Sequence, residues 1–195
     1  PGSFSRGVHG RGRRGLIVEH VTAGPAYGGQ SEAISLIGAL DAAGARGWDT
    51  VIAGPGPGIL GSGTVYGHGG MMALDVLNAA IALDMPAVLS PRLSKGDPRP
   101  RHQGLSHHTE AVLALALGEI EVPLPDGLED LAFHIAGLDG GQRKVTLRPA
   151  DTDAYGDSGL SRRSMGRDLE EDPIFFAAPL AAGRRLAELV LHPGD

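Results

Sequence analysis

The chain is written as short apolar runs alternating with helical segments, and that alternation constrains its fold more than any other feature. Residues 16–22, 49–53, 87–89 and 120–124 are short, mostly apolar stretches of the kind that form buried strands. Between the first two, Ser31 is placed to cap a helix running to about residue 44, with Ala33, Leu36, Ile37 and Leu40 on one face. Residues 71–83 read as a second helix. Ser106 opens a third, whose body at 111–117 is apolar all round. Strand, helix, strand, helix, strand, helix, strand is the order of βαβ units around a parallel sheet. Strands without polar alternation suit a sheet covered on both faces. The expectation is one α/β domain over residues 16–195. Its architecture is three-layered, around a mostly parallel, doubly wound (Rossmann-like or flavodoxin-like) sheet of about five strands.

The remainder of the chain is less regular. Residues 128–138 suggest a helix and 145–148 a strand, whereas 151–172 are polar and irregular. Asp172-Pro173 is an N-cap followed by proline at the first helical position, opening a last helix that runs to about residue 191 and contains Pro179. Residues 1–15, with Arg6, Arg11, Arg13 and Arg14, read as a flexible basic arm.

Composition narrows the function classes. Glycine and proline are abundant, at 31 and 14 of 195 residues, yet 42 % of the chain is apolar and 21 % charged, enough to bury a core. Cysteine is absent, which removes disulfides and thiolate metal sites. A net charge of −6 and an aromatic content of 4 % argue against nucleic-acid partners. The longest apolar run, residues 111–117, is far shorter than a membrane span. The N-terminus, Pro-Gly-Ser-Phe-Ser, has no signal-peptide pattern, so the expected location is the cytoplasm. An oligomer is compatible with the sequence.

In an open parallel sheet, ligands bind beyond the carboxyl ends of the strands. Three loops there are unusual: residues 23–29, 54–70 and 90–106. The second holds eight glycines in 17 positions. Its backbone amides suit an anion cradle at a helix N-terminus. Gly56, Gly58 and Gly61 satisfy G-x-G-x-x-G, but the helix starts only near His68. Ser90 also stands where a dinucleotide site needs an acid. Gly58 to Thr64 lacks the lysine of a P-loop. The favoured ligand is a small anion bearing phosphate or carboxylate. Gly56, Gly58, Gly61, Ser62, Gly63, Thr64 and Gly67 would contact it.

Four histidines lie in these loops or directly after them: His68, His102, His107 and His108. Rings near a helix N-terminus stay neutral, and a neutral imidazole serves as acid, base or metal ligand. These four are the candidate catalytic residues. A divalent metal is a candidate cofactor, with His68, His102, His107 and Asp97 as its ligands. His107 and His108 are adjacent, so they are expected to face apart on a helix. Arg92, Arg99 and Arg101, with Ser94, Ser106 and Thr109, complete the expected ligand-binding set. The alternative is a non-catalytic interaction or structural module in which the glycine loop only packs and the histidines fix helix ends.

Several of these residues form a longer pattern. Gly54-Pro55-Gly56, the Gly-Ser-Gly-Thr of 61–64, Gly67-His68, Pro91-Arg92-Leu93-Ser94, Asp97, Arg99, Arg101-His102, Gly104 and Ser106-His107-His108-Thr109 stand in this order. Ser164-Met165-Gly166-Arg167, Glu171-Asp172-Pro173 and Phe175-Phe176 follow. The pattern resembles the bacterial domain of unknown function 3866, over roughly residues 16–190. The resemblance implies a longer protein, with a further N-terminal β-rich region and another strand–helix unit. It implies no activity. One stretch departs from it: Gly24-Pro25-Ala26-Tyr27 stands where the family has a Gly-His-Ala-Phe-like sequence.

Overall fold

The computed structural model describes residues 6–56 and 60–192. Within the expected basic arm, residues Arg6–Arg13 form helix α1, and the Arg14 guanidinium donates to the Ser158 carbonyl at 2.8 Å. Strands β1 (Val21–Ala23) and β2 (Ser31–Ala33) pair in parallel. Ser31 therefore lies in a strand. Ser35, four residues on, caps helix α2 (Leu36–Ala45) by accepting from the Gly38 amide. Helix α3 (Met72–Ala82) follows a 3₁₀ turn at Gly69–Met71. Strands β3 (Leu93–Ser94) and β4 (Gly104–Leu105) form a small antiparallel pair, and Ser106 caps helix α4 (His107–Leu115) as expected.

Strands β5 (Ile120–Pro125) and β6 (Arg143–Arg148) pair in parallel over six residues around helix α5 (Glu129–Ala136). The polar stretch after β6 contains helix α6 (Thr152–Asp157) and an antiparallel hairpin, β7 (Arg163–Ser164) and β8 (Arg167–Asp168). Met165 and Gly166 turn that hairpin with positive φ, at 52° and 84°. Helix α7 (Pro173–Leu191) closes the chain. None of the described helices is long and apolar enough to cross a membrane.

The core gathers around β5. Ile120, Val122 and Leu124 are fully buried and pack with Leu40, Leu77, Leu93, Val112, Leu113 and Ile135. Helix α7 presents Ala177, Ala178, Ala181 and Ala182 inward, and small side chains let its backbone lie close to the strands. Arg185 anchors it through two hydrogen bonds to Glu121, at 2.6 and 2.9 Å.

The expected five-stranded, doubly wound sheet does not form. The described strands make four separate two-stranded ladders, two parallel and two antiparallel. Two causes are visible. Val51 and Ile52 find no strand partner, and Ile52 stays 85 % exposed. Residues 87–89 do lie parallel to β5, but through a single bridge, Val88 to Glu121. The Glu121 amide donates to Ala87 and the Leu89 amide to Glu121, each at 2.8 Å. Extending that ladder would next require the amides of residues 123 and 91. Both are proline and carry no N–H.

Candidate histidine site

Loop 90–106 owes its shape to two buried carboxylates. Asp97 accepts from the Arg99 amide and Nε on one oxygen, and from Arg92 and Arg99 guanidinium nitrogens on the other, all at 2.9–3.0 Å. Asp172 accepts from the Ser94 hydroxyl at 2.5 Å, the Lys95 amide at 2.9 Å and Arg167 Nε at 3.0 Å. The Ser94 hydroxyl also receives the Asp97 amide, joining the two acids. Hydrogen bonding from Arg99 holds the Asp97 carboxyl far below the usual carboxylate range. Burial pushes Asp172 up, but its hydrogen bonds from Ser94, Lys95 and Arg167 outweigh that, and the net shift is downward.

Three guanidiniums, of Arg92, Arg99 and Arg167, share these two carboxylates, leaving one positive charge uncompensated. Arg92 Nε and Arg167 Nη2 are buried without a hydrogen-bond partner. Arg92 and Arg99, expected to face a ligand, are thus committed first to Asp97. Asp97, expected as a metal ligand, has both oxygens occupied. Ser94 and Thr109 are spoken for as well: the Thr109 hydroxyl accepts the Arg92 amide at 3.0 Å. Arg101 lies exposed on the 3₁₀ turn Pro100–His102, close enough for its charge to disfavour protonation of His107.

The four histidines meet beside this loop. His102 comes from the 3₁₀ turn, His107 and His108 from the first turn of α4, and His68 from the residue before the 3₁₀ turn that leads into α3. Ring centroids of His68 and His108 stack 3.9 Å apart at 18°. Those of His107 and His108 are 4.3 Å apart, and His102 lies 4.9 Å from each. The adjacent pair converges, against the expectation. Side chains in a first helical turn lean back past the N-terminus, where both rings reach the space beside His68.

His102 is buried and shares a 2.7 Å hydrogen bond between its Nδ1 and the Ser106 hydroxyl, which also accepts the His108 amide at 3.3 Å. The other rings are less well served. Both nitrogens of His68 and Nε2 of His107 are buried with no partner. Burial, reinforced by Arg92 and Arg99, depresses His102 to about 4. Burial, reinforced by His68 and His107, depresses His108 to about 4 as well. His107 is lowered by burial and by Arg101. At neutral pH these three rings are neutral and offer lone pairs.

The glycine loop serves this cluster indirectly. Gly58 lies outside the described residues. Gly56 and residues 61–64 are exposed. The loop closes on itself: the Ser62 amide donates to the Gly67 carbonyl, Gly67 to Thr64, and Gly69 to Leu60. Ser62 and Thr64 hydroxyls bond each other at 3.0 Å. A side chain at Gly67 would strike both. These amides hold a turn that delivers His68, opposite Gly61 in a local bridge. Gly70 was missed by sequence reasoning, although its signal is present in the run Gly67-His68-Gly69-Gly70. A Cβ there would sit 2.9 Å from His68 Nδ1 and 3.2 Å from His108 Nδ1. Asp172 and Arg167 were also missed as site supports. Asp172 reads as a helix cap, yet its side chain makes no cap bond.

The carboxyl ends of β5 and β6 open on a separate cavity of about 610 Å³, lined in part by Lys95, Asp126, Asp151 and Thr152. No curated protein and no solved structure matches the chain. A family model does match it, over residues 1–183, nearly the full length, and the chain accordingly belongs to the family described as "Protein of unknown function (DUF3866)".

Proposed function

We propose that this chain binds a small anionic ligand, bearing phosphate or carboxylate, at the histidine cluster. One observation carries the reading: buried, unpartnered nitrogens on His68 and His107 lie beside a loop whose arginines outnumber its acids. A buried donor without a partner costs about 1–3 kcal/mol, so a packing module has little reason to retain several. An anion supplies acceptors to imidazole and guanidinium N–H groups and offsets the surplus positive charge. Arg101, exposed at the rim, adds attraction from solvent.

Inorganic phosphate, pyrophosphate and citrate titrated into the chelator-treated protein test this. Saturable stabilisation is expected from at least one, weakened about tenfold in Arg101→Ala and declining with added salt. Melting curves unmoved by all three anions overturn the reading.

A further inference from the structure

The geometry points to a metal centre: we propose that His68, His107 and His108 together hold one divalent transition ion, of the zinc type, with a fourth position open. One nitrogen from each of these residues lies within 4.8 Å of the others. Two nitrogens bound at ~2.0–2.1 Å to a common ion are at most about 4.2 Å apart, so small ring rotations complete the set. No element of secondary structure has to move. The three rings reach the same space from two independent supports, the closed glycine turn and the capped start of α4.

Three further observations favour an ion there. The first is the idle nitrogens. Both on His68 and one on His107 are buried and bond to nothing in the protein. The second is the close approach at Gly70, where a Cβ would crowd the Nδ1 atoms of His68 and His108, so only glycine leaves both free. The third is the donor set. The atoms that converge are three imidazole nitrogens, which suit zinc, and not magnesium or calcium, which take oxygen.

His102 supports rather than completes the set. Its Nδ1 is engaged by Ser106, and its ring packs at 4.9 Å against both His107 and His108, fixing their orientation. Three protein ligands leave an exchangeable position, as catalytic rather than structural zinc sites do. The uncompensated arginine charge opposes a bare dication. An anion in the fourth position removes that opposition, so ion and anion should favour one another. The occupant of that position rests on the anion reading above; the ion itself does not.

The test is titration of the chelator-treated chain with Co²⁺ alone, followed by visible d–d absorption and by elemental analysis. One ion per chain with a four-coordinate spectrum is expected. His68→Ala, His107→Ala and His108→Ala should each weaken binding by at least about tenfold. Gly70→Ala, which alters no ligand, should weaken it too, and His134→Ala on the exposed face of α5 should leave it unchanged. Thermal melts check that each variant is folded. Absent stoichiometric binding, or affinity undiminished in the histidine variants and Gly70→Ala, overturns the metal centre. Inorganic phosphate added to the cobalt form separates the two readings. Tighter cobalt binding supports both. Cobalt bound with no response to phosphate, pyrophosphate or citrate sustains the metal and refutes the anion. Stabilisation by phosphate without any cobalt binding does the reverse.

Discussion

Two polar clusters share loop 90–106, and they differ in how their acceptors and ring nitrogens are used. Around Asp97 and Asp172 every carboxylate oxygen is taken, by residues as distant in sequence as Ser94 and Arg167. Around His68, His107 and His108 buried nitrogens go unanswered. The first cluster spends its hydrogen bonds holding the loop in place. The second uses one ring bond, from His102 to Ser106, and leaves both nitrogens of His68 and Nε2 of His107 unused. Folding tolerates buried groups without partners mainly where something else is to fill the gap. On the proposal above, the closed cluster is scaffold and the open one is the binding site.

The largest expected effect breaks the closed cluster. Asp97→Asn leaves Arg92, Arg99 and Arg167 to share Asp172 alone and should cost about 3–5 kcal/mol, read as a lowered urea midpoint. An equal cost for His68→Ala would erase the distinction between the two clusters.

The next separates them by pH. His102 and His108 have folded values near 4 against an ordinary 6.5, so the unfolded chain binds protons first. Their contribution is intact above 6.5 and is lost as pH falls from there through about 4. Asp97 and Asp172 lie below their ordinary 3.8, so their contribution persists to about pH 4 and is lost only beneath it. Thermal melts of metal-free protein should show a drop of several degrees between pH 6.5 and 4.5, reduced by about half in His108→Ala because His102 still contributes. A melting temperature flat across that interval would place the histidines in a far more hydrated setting.

Ser106→Ala touches both sides of the helix start, removing the α4 cap and the His102 partner together. A loss of about 1–2 kcal/mol is expected in a denaturant titration, with metal affinity reduced through His102 and His108. The smallest effect on stability belongs to His68→Ala in metal-free protein, within about 1 kcal/mol, because the ring makes no hydrogen bond that is lost.

How far the sequence announced this arrangement depends on the kind of signal. Helical spacing located α3, α4, α5 and α7 to within a few residues, since their periodic apolar faces are local properties. The sheet was misjudged, because apolar runs give strand propensity but not strand partners. Pro91 and Pro123 were legible as letters, yet their effect needs the Val88–Glu121 register to be known. The four histidines were legible as a group, and their rings do lie together, His107 and His108 included, although those two were expected to face apart. Their division of labour was not legible. Asp97 looks like a ligand until Arg92 and Arg99 are seen on it, and Ser31 looks like a cap until Ser35 is seen taking that place.

The bond between Ser94 and Asp172 spans 78 residues, and its consequence is one of timing. A chain emerging from the ribosome has its histidine-bearing loop long before it has Asp172, Arg167 or α7. Until those arrive, the loop is tied by its own bonds, those to Asp97 among them, and Ser94 lacks its Asp172 acceptor. The loop that carries His102 thus gains its last ties only after synthesis has passed residue 172.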